Sequence, residues 1–247
     1  MKVVIAPDSF KESMSAKEVC DSVERGILSI FPDWEIVKVP MADGGEGTVE
    51  SLIDGTNGKI YNEETLDPLG EKIVSKYGVL GDKNIAIIEM ATTSGLELIS
   101  ETKRNPYRTT TYGTGQLMLK ALDHNVEKII LGIGGSATTD GGAGMLQALG
   151  AKLTDKEGKE IGFGGFELGK LENIDFSGLD ERLKNVEILV ACDVNNPLTG
   201  KNGSAHVFGP QKGATSEMVE VLDKNLLHYA EVVKKDLKME INDVPGK

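Results

Sequence analysis

Val126-Glu-Lys-Ile-Ile-Leu131 runs directly into Gly132-Ile-Gly-Gly-Ser-Ala-Thr-Thr-Asp-Gly-Gly-Ala-Gly144, and Gly141–Leu149 then reads as a helix. An apolar run of strand length, a glycine loop and a helical segment are the parts of a parallel α/β unit, because parallel strands need helical crossovers. The same order recurs on both sides. Lys2–Ala6 reads as a strand, and Ser15-Ala-Lys-Glu18 is a capping box whose hydroxyl serves the third helical amide. Val19, Val23, Ile27, Leu28 and Ile30 then trace one helical face. Ile36–Val39 reads as a strand and Glu46–Ile53 as a short helix. Residues 58–90 read as two or three strands, with turns at Asp67-Pro-Leu-Gly70 and Gly81-Asp-Lys-Asn84. Gly113–His124 is predicted helical and Glu187–Ala191 extended. Thr215–Leu237 is the longest predicted helix, with Met218, Val219, Leu222, Leu226, Tyr229, Val233 and Leu237 on one stripe. The fold class is therefore α/β with largely parallel sheets. The 58–90 stretch is the one change of texture, where the chain leaves one α/β layer for a second.

Composition narrows the function. The chain has 27 Lys+Arg against 39 Asp+Glu, a net charge of −12, which disfavours nucleic acid and anionic membranes as partners. No apolar run approaches the ~20 residues of a membrane span, and the stretch after Met1 is too short for a signal peptide. Two cysteines, Cys20 and Cys192, argue for a reducing cytoplasmic setting. Cys192, followed by an acid, reads as a small buried residue. The 30 glycines are in excess, and they cluster.

They cluster at strand ends, where α/β sheets bind ligands. The 132–144 loop carries six glycines, three hydroxyls (Ser136, Thr138, Thr139) and Asp140. Its small residues let backbone amides close on an anion, and the following helix N-terminus adds donors. By composition it is a phosphate cradle built on Gly132, Gly134, Gly135, Gly141 and Gly142, though not a Walker loop. A tight turn with glycines for packing is the plainer account. A rival reading takes Gly132-x-Gly134-x-x-Ala137, with Asp155 downstream, as a degenerate dinucleotide fingerprint, which would make the protein a nicotinamide-dependent oxidoreductase. Asp43 and Glu46, on a glycine-flexible turn, suit Mg²⁺. Lys11 is placed to neutralise phosphoryl charge, Asp193 to act as base or metal ligand, and Arg108 to hold a substrate carboxylate. Solvated or capping roles account for each of these about as well.

Taken together, Asp8-Ser-Phe-Lys-Glu-Ser-Met-Ser-Ala16, Pro40-Met-Ala-Asp-Gly-Gly-Glu-Gly-Thr48, Thr110-Thr-Tyr-Gly-Thr-Gly115, the 132–144 loop and Ala191-Cys-Asp-Val-Asn-Asn-Pro-Leu198 resemble the bacterial type-1 glycerate kinases. Val207-Phe-Gly-Pro-Gln-Lys-Gly-Ala214 is similar to a further signature of that family. Thr139 stands where the family usually has Asn. The resemblance implies ATP-dependent phosphorylation of D-glycerate with Mg²⁺, in the cytoplasm. It implies two α/β domains, one inserted into the other: residues 1–60 would begin a discontinuous Rossmann-like domain and 61–247 would form the second. It also implies that the family's C-terminal segment is missing here, which leaves a catalytically incomplete acidic fragment as a third reading. In the expected site the 132–144 loop holds phosphates, Asp43 and Glu46 hold Mg²⁺, and Lys11 balances charge. Asp8 or Asp193 orients or deprotonates the hydroxyl, while Ser9, Arg108 and Asn195 contact glycerate. Either glycerate hydroxyl fits this scheme as acceptor, and monomer and homodimer both remain open.

Overall fold

The computed structural model describes residues 1–8, 10, 13–41, 49, 52–53, 56–81 and 84–246. Its main sheet has five strands: β3 (Lys59–Leu66), β4 (Lys72–Val79), β5 (Ile85–Glu89), β6 (Lys128–Gly132) and β9 (Glu187–Ala191), adjacent in that order. β3 and β4 form an antiparallel hairpin, β4 meets β5 antiparallel, and β5, β6 and β9 run parallel. The hairpin turns where the sequence predicts: Asp67 Oδ1 accepts the amides of Leu69 and Glu71, an Asx-type closure. β1 (Lys2–Ile5) and β2 (Glu35–Lys38) pair parallel in a sheet of their own, with α1 (Ala16–Ile30) between them in sequence. A third, antiparallel pair, β7 (Lys152–Thr154) with β8 (Asn173–Asp175), falls in a stretch the sequence pattern leaves unassigned.

Strand alternation sorts the core. Ala86 and Ile88 of β5 pack with Ile129 and Leu131 of β6 against Leu117 and Met118 of the helix Tyr112–Leu122. Ile87 points the other way, to Val49 and Ile53. Both faces of these central strands are thus covered, which is why they read as unbroken apolar runs. β9, at the sheet edge, leaves Ile188, Leu189 and Val190 exposed. The short helices Ala91–Ser94, Tyr112–Leu122, Ala143–Ala148 and Ser204–Phe208 are named α2 to α5, and the long Ser216–Leu237 is α6. α6 buries Val219, Leu222, Leu226, Tyr229 and Val233 on the predicted stripe, against Leu153, Leu168 and Leu171.

The predicted capping box forms, and a second cap that the sequence reading does not assign closes the start of α6. Ser15 accepts from the Glu18 amide while Glu18 Oε2 takes the Ser15 amide at 2.8 Å, and Thr215 Oγ1 accepts from the Met218 amide. Thr215→Ala is therefore expected to lower the unfolding free energy by about 1 kcal/mol in a urea titration. Among the described residues no helix is long and apolar enough to cross a membrane. The predicted helix Glu46–Ile53 is helical at positions 49, 52 and 53, its other positions lying outside the described residues.

Candidate functional site

The parallel strands bring three loops to one edge. Glu89, Gly132 and Ala191 stand in register at the carboxyl ends of β5, β6 and β9. The Met90 amide donates to Gly132 O at 2.8 Å, and Val49 is tied to the same edge by its amide, which donates to the buried Glu89 carboxylate at 2.7 Å. The glycine loop thus leaves the sheet between the chain after β5 and the chain after β9, the position where an open α/β sheet binds ligands. The open cleft lined by Phe176, Leu179, Asp180 and Lys184 lies at the opposite edge, where Arg182 pairs with Asp123 just past α3.

The loop's first half is pinned through its backbone. Gly135 O accepts from the Leu96 amide at 2.9 Å, and the Ala137 amide donates to Ser94 O at 2.8 Å. The Thr109 hydroxyl donates to Ala137 O at 2.7 Å. Thr138 and Thr139 are buried, and Thr139 Oγ1 has no hydrogen-bond partner among the described residues. A buried hydroxyl without a partner costs free energy unless something meets it.

The second half departs from the expectation of a free helix N-terminus. Asp140 is buried, and its Oδ2 accepts from the Thr111 amide and hydroxyl, both at 2.8 Å, and from the Gly144 amide at 3.3 Å. Its Oδ1 accepts from the Gly142 amide at 3.2 Å, and Thr111 Oγ1 accepts from the Met145 amide. Gly141 and Gly142 adopt positive φ to bring those amides round. Asp140 and Thr111 thus take the donors of α4 that an external anion would use, so open donors fall to the loop's first half. Burial pushes the Asp140 carboxyl above its ordinary range, and the four donors pull it back.

Beneath the first half lies a residue that carries no role in the sequence reading. Lys212, at the end of the turn Pro210–Lys212, is buried; its Nζ donates to Ser136 Oγ at 2.9 Å and to Thr138 O at 2.5 Å. Burial pulls its ammonium down to about 8, against the opposing pull of Asp140. The one available signal was a lysine held between Pro210 and Gly213 in the Val207–Ala214 signature.

The other expected residues are placed as follows. Asp8 is exposed beyond β1, in the separate two-stranded sheet. Asp193 and Asn195 are exposed on the chain leaving β9, beside the glycine loop through the Ile133 amide, which donates to Ala191 O. Arg108 is exposed, one residue before the Thr109 that pins the loop. Ser9, Lys11, Asp43 and Glu46 lie outside the described residues. Cys192 is exposed rather than buried, because β9 is an edge strand; its thiol donates to the carbonyls of Val194 and Gly246. The dinucleotide fingerprint fails on geometry. A helix should open at the end of the motif, near Ala137, whereas α4 begins at Ala143. Asp155 is spent on a hairpin turn, accepting the amides of Glu157 and Lys159.

Comparison with known proteins agrees with this layout. The chain is 58% identical over 246 residues to glycerate 2-kinase of Escherichia coli strain K12, covering 100% of this chain and 65% of that protein. It is 56% identical to glycerate kinase of Bacillus subtilis strain 168, covering 64% of its length. The chain thus spans somewhat less than two thirds of the curated relatives it matches. A crystal structure of a Salmonella typhimurium LT2 protein described as glycerate kinase 2 superposes with a TM-score of 0.93 at 54% identity, over 100% of this chain and 67% of that one. A family model described as the glycerate kinase family matches residues 3–247, and the chain belongs to that family.

Proposed function

We propose that the protein transfers a phosphoryl group from ATP to a hydroxyl of D-glycerate, in line and with Mg²⁺. The observation that carries this reading is the glycine loop at the carboxyl edge of the parallel strands, with the buried Thr139 hydroxyl unpartnered in its wall and a buried ammonium beneath it. That donor set fits phosphate: hydroxyls, amides freed by small residues and positive charge. Ser136, Thr138 and Thr139 would donate to phosphate oxygens from the half-loop that Lys212 supports, while Asp140 keeps the other half closed. Asp193, exposed beside the loop, or Asp8 would take the hydroxyl proton, and Asn195, Ser9 and Arg108 would orient glycerate through its hydroxyls and carboxylate. Lys11 would offset the charge that develops on transfer. Mg²⁺ supplies charge neutralisation on the phosphates; Asp43 and Glu46 have the hard oxygen donors it prefers. The separate β1–β2 sheet supports assigning residues 1–60 to the first part of a discontinuous domain, with 61–247 as the second. The cysteine usage supports a cytoplasmic site of action.

A coupled ADP-release assay tests the reaction, run on the 247-residue chain and on the same chain joined to the part of the Escherichia coli relative that it does not match. D-glycerate-dependent ADP release by the joined protein, absent with lactate, is the expected result. No glycerate-dependent turnover by either form would sink the reading. Turnover by the joined protein alone would assign the 247-residue chain as a catalytically incomplete part.

A further inference from the structure

We propose that Lys212 is a positioning residue of the glycine loop: bound to Ser136 Oγ and Thr138 O, it sets the half-loop's shape and turns the Ser136 hydroxyl outward as a donor to a bound phosphate. The proposal rests on the kinase reading of the loop and assigns a residue that reading leaves without a part.

Hydrogen-bond direction fixes the Ser136 hydroxyl. An ammonium has donors and no acceptor, so Ser136 Oγ accepts from Lys212 and its own O–H must point elsewhere. A hydroxyl that accepts from a cation is also a stronger donor, because each bond in the chain polarises the next. The second bond, to Thr138 O, fixes the backbone two residues further along. Lys212 therefore grips the loop on both sides of Ala137, whose amide and carbonyl are held by Ser94 and Thr109. Its own backbone is fixed as well. Gly213 sits at positive φ against Arg104 O, where a Cβ would approach to 2.5 Å, so the turn that presents Lys212 has little freedom.

Energetics weighs against a merely structural clip. A buried ammonium loses hydration, and Asp140, whose charge opposes that loss, forms no ion pair with it within 4.0 Å among the described residues. An apolar side chain of similar length would fill the same space without that loss. A buried charge kept beside a loop with an unpartnered hydroxyl points to an anion as its missing partner. Among the described residues, Asp140 in the loop is the charged group whose field acts on Lys212, and Tyr229 of α6, whose ring lies against Gly141, feels the same carboxylate.

Isothermal titration of the 247-residue chain with ADP and with pyrophosphate tests the proposal. Lys212→Met is expected to weaken both by about 10- to 100-fold, the worth of a hydrogen bond to a charged group. Lys212→Ala should lose as much and recover affinity with n-propylammonium, which restores the missing atoms and charge, but not with n-propanol. Unchanged affinity in Lys212→Met, or equal rescue by both additives, overturns the positioning role and leaves the kinase reading in place. If the unmodified chain binds neither ADP nor pyrophosphate, the role of Lys212 in holding a phosphate site falls, while the kinase reading is decided separately by ADP release from the joined protein. Should the variants not fold, the ¹⁵Nζ resonance of Lys212 in the unmodified chain decides. Saturating pyrophosphate should move its titration to higher pH, and an unmoved titration overturns the proposal.

Discussion

Asp140→Ala is expected to lower the unfolding free energy by about 3–5 kcal/mol, the scale set by breaking a buried charged network. The carboxylate is the common acceptor for three backbone amides and one hydroxyl from two segments of chain, Thr111 and the start of α4. Alanine leaves those donors buried with nothing in reach, and each orphan costs about 1–3 kcal/mol before any relaxation. Asp140→Asn sharpens the test. Its amide offers one oxygen for the Oδ2 side, where three donors meet, and then faces the Gly142 amide with its own N–H; flipped, it does worse. A loss of about 2–3 kcal/mol is expected, intermediate between the parent and alanine. Urea unfolding followed by circular dichroism measures both. A change below about 1 kcal/mol in Asp140→Ala would show that water replaces the carboxylate, and the loop's second half would then be open to a ligand after all.

The second large effect lies one layer below. α3 and α4 cross with almost no side chain between them: a Cβ on Gly115 would stand 2.5 Å from Met145 O and 2.7 Å from Ala148 Cβ. From the other helix, a Cβ on Gly144 would meet the Thr110 hydroxyl oxygen at 2.1 Å and the Tyr112 amide nitrogen at 2.8 Å. Gly115→Ala should therefore cost about 2–3 kcal/mol, since the helices must part and overpacking outweighs the gain in helix propensity. Gly26→Ala is the matched control. It too lies within a helix, α1, but its Cβ would meet nothing within 4 Å, and a gain of about 0.5–1 kcal/mol is expected. Chemical denaturation of the two variants should move the midpoint in opposite directions. Movement in the same direction would remove the close crossing as the cause. Because both helices begin at the Asp140 network, Gly115→Ala should also disturb the loop.

Much of the scaffold was legible because its signals are local. The capping box at Ser15, the Asp67 turn and the apolar runs of β5, β6 and β9 each depend on residues within a few positions of one another. β7 and β8 escaped because three-residue strands carry too little alternation to register. In the site, the glycine loop declared itself by composition, whereas the division of labour inside it did not. Whether Asp140 faces a ligand or turns back on Thr111 depends on contacts 29 residues apart in the chain. Lys212 reaches Ser136 across 76 residues, and a single lysine in a polar turn gives no periodic or compositional hint of that. Cys192 was misread for a related reason: the acid that follows it argues against a reactive thiolate, but only the strand order tells that β9 is at an edge.

That exposed thiol makes the chain its own reporter. Cys20, the other cysteine, is fully buried in α1, where burial also pushes its thiol up and away from reactivity. A maleimide dye added to the folded, unmutated protein therefore has one accessible sulfur, just beyond the last residue of β9 and next in sequence to Asp193. A fluorophore there sits beside the glycine loop without any engineered cysteine, so changes at the sheet's carboxyl edge become visible as light.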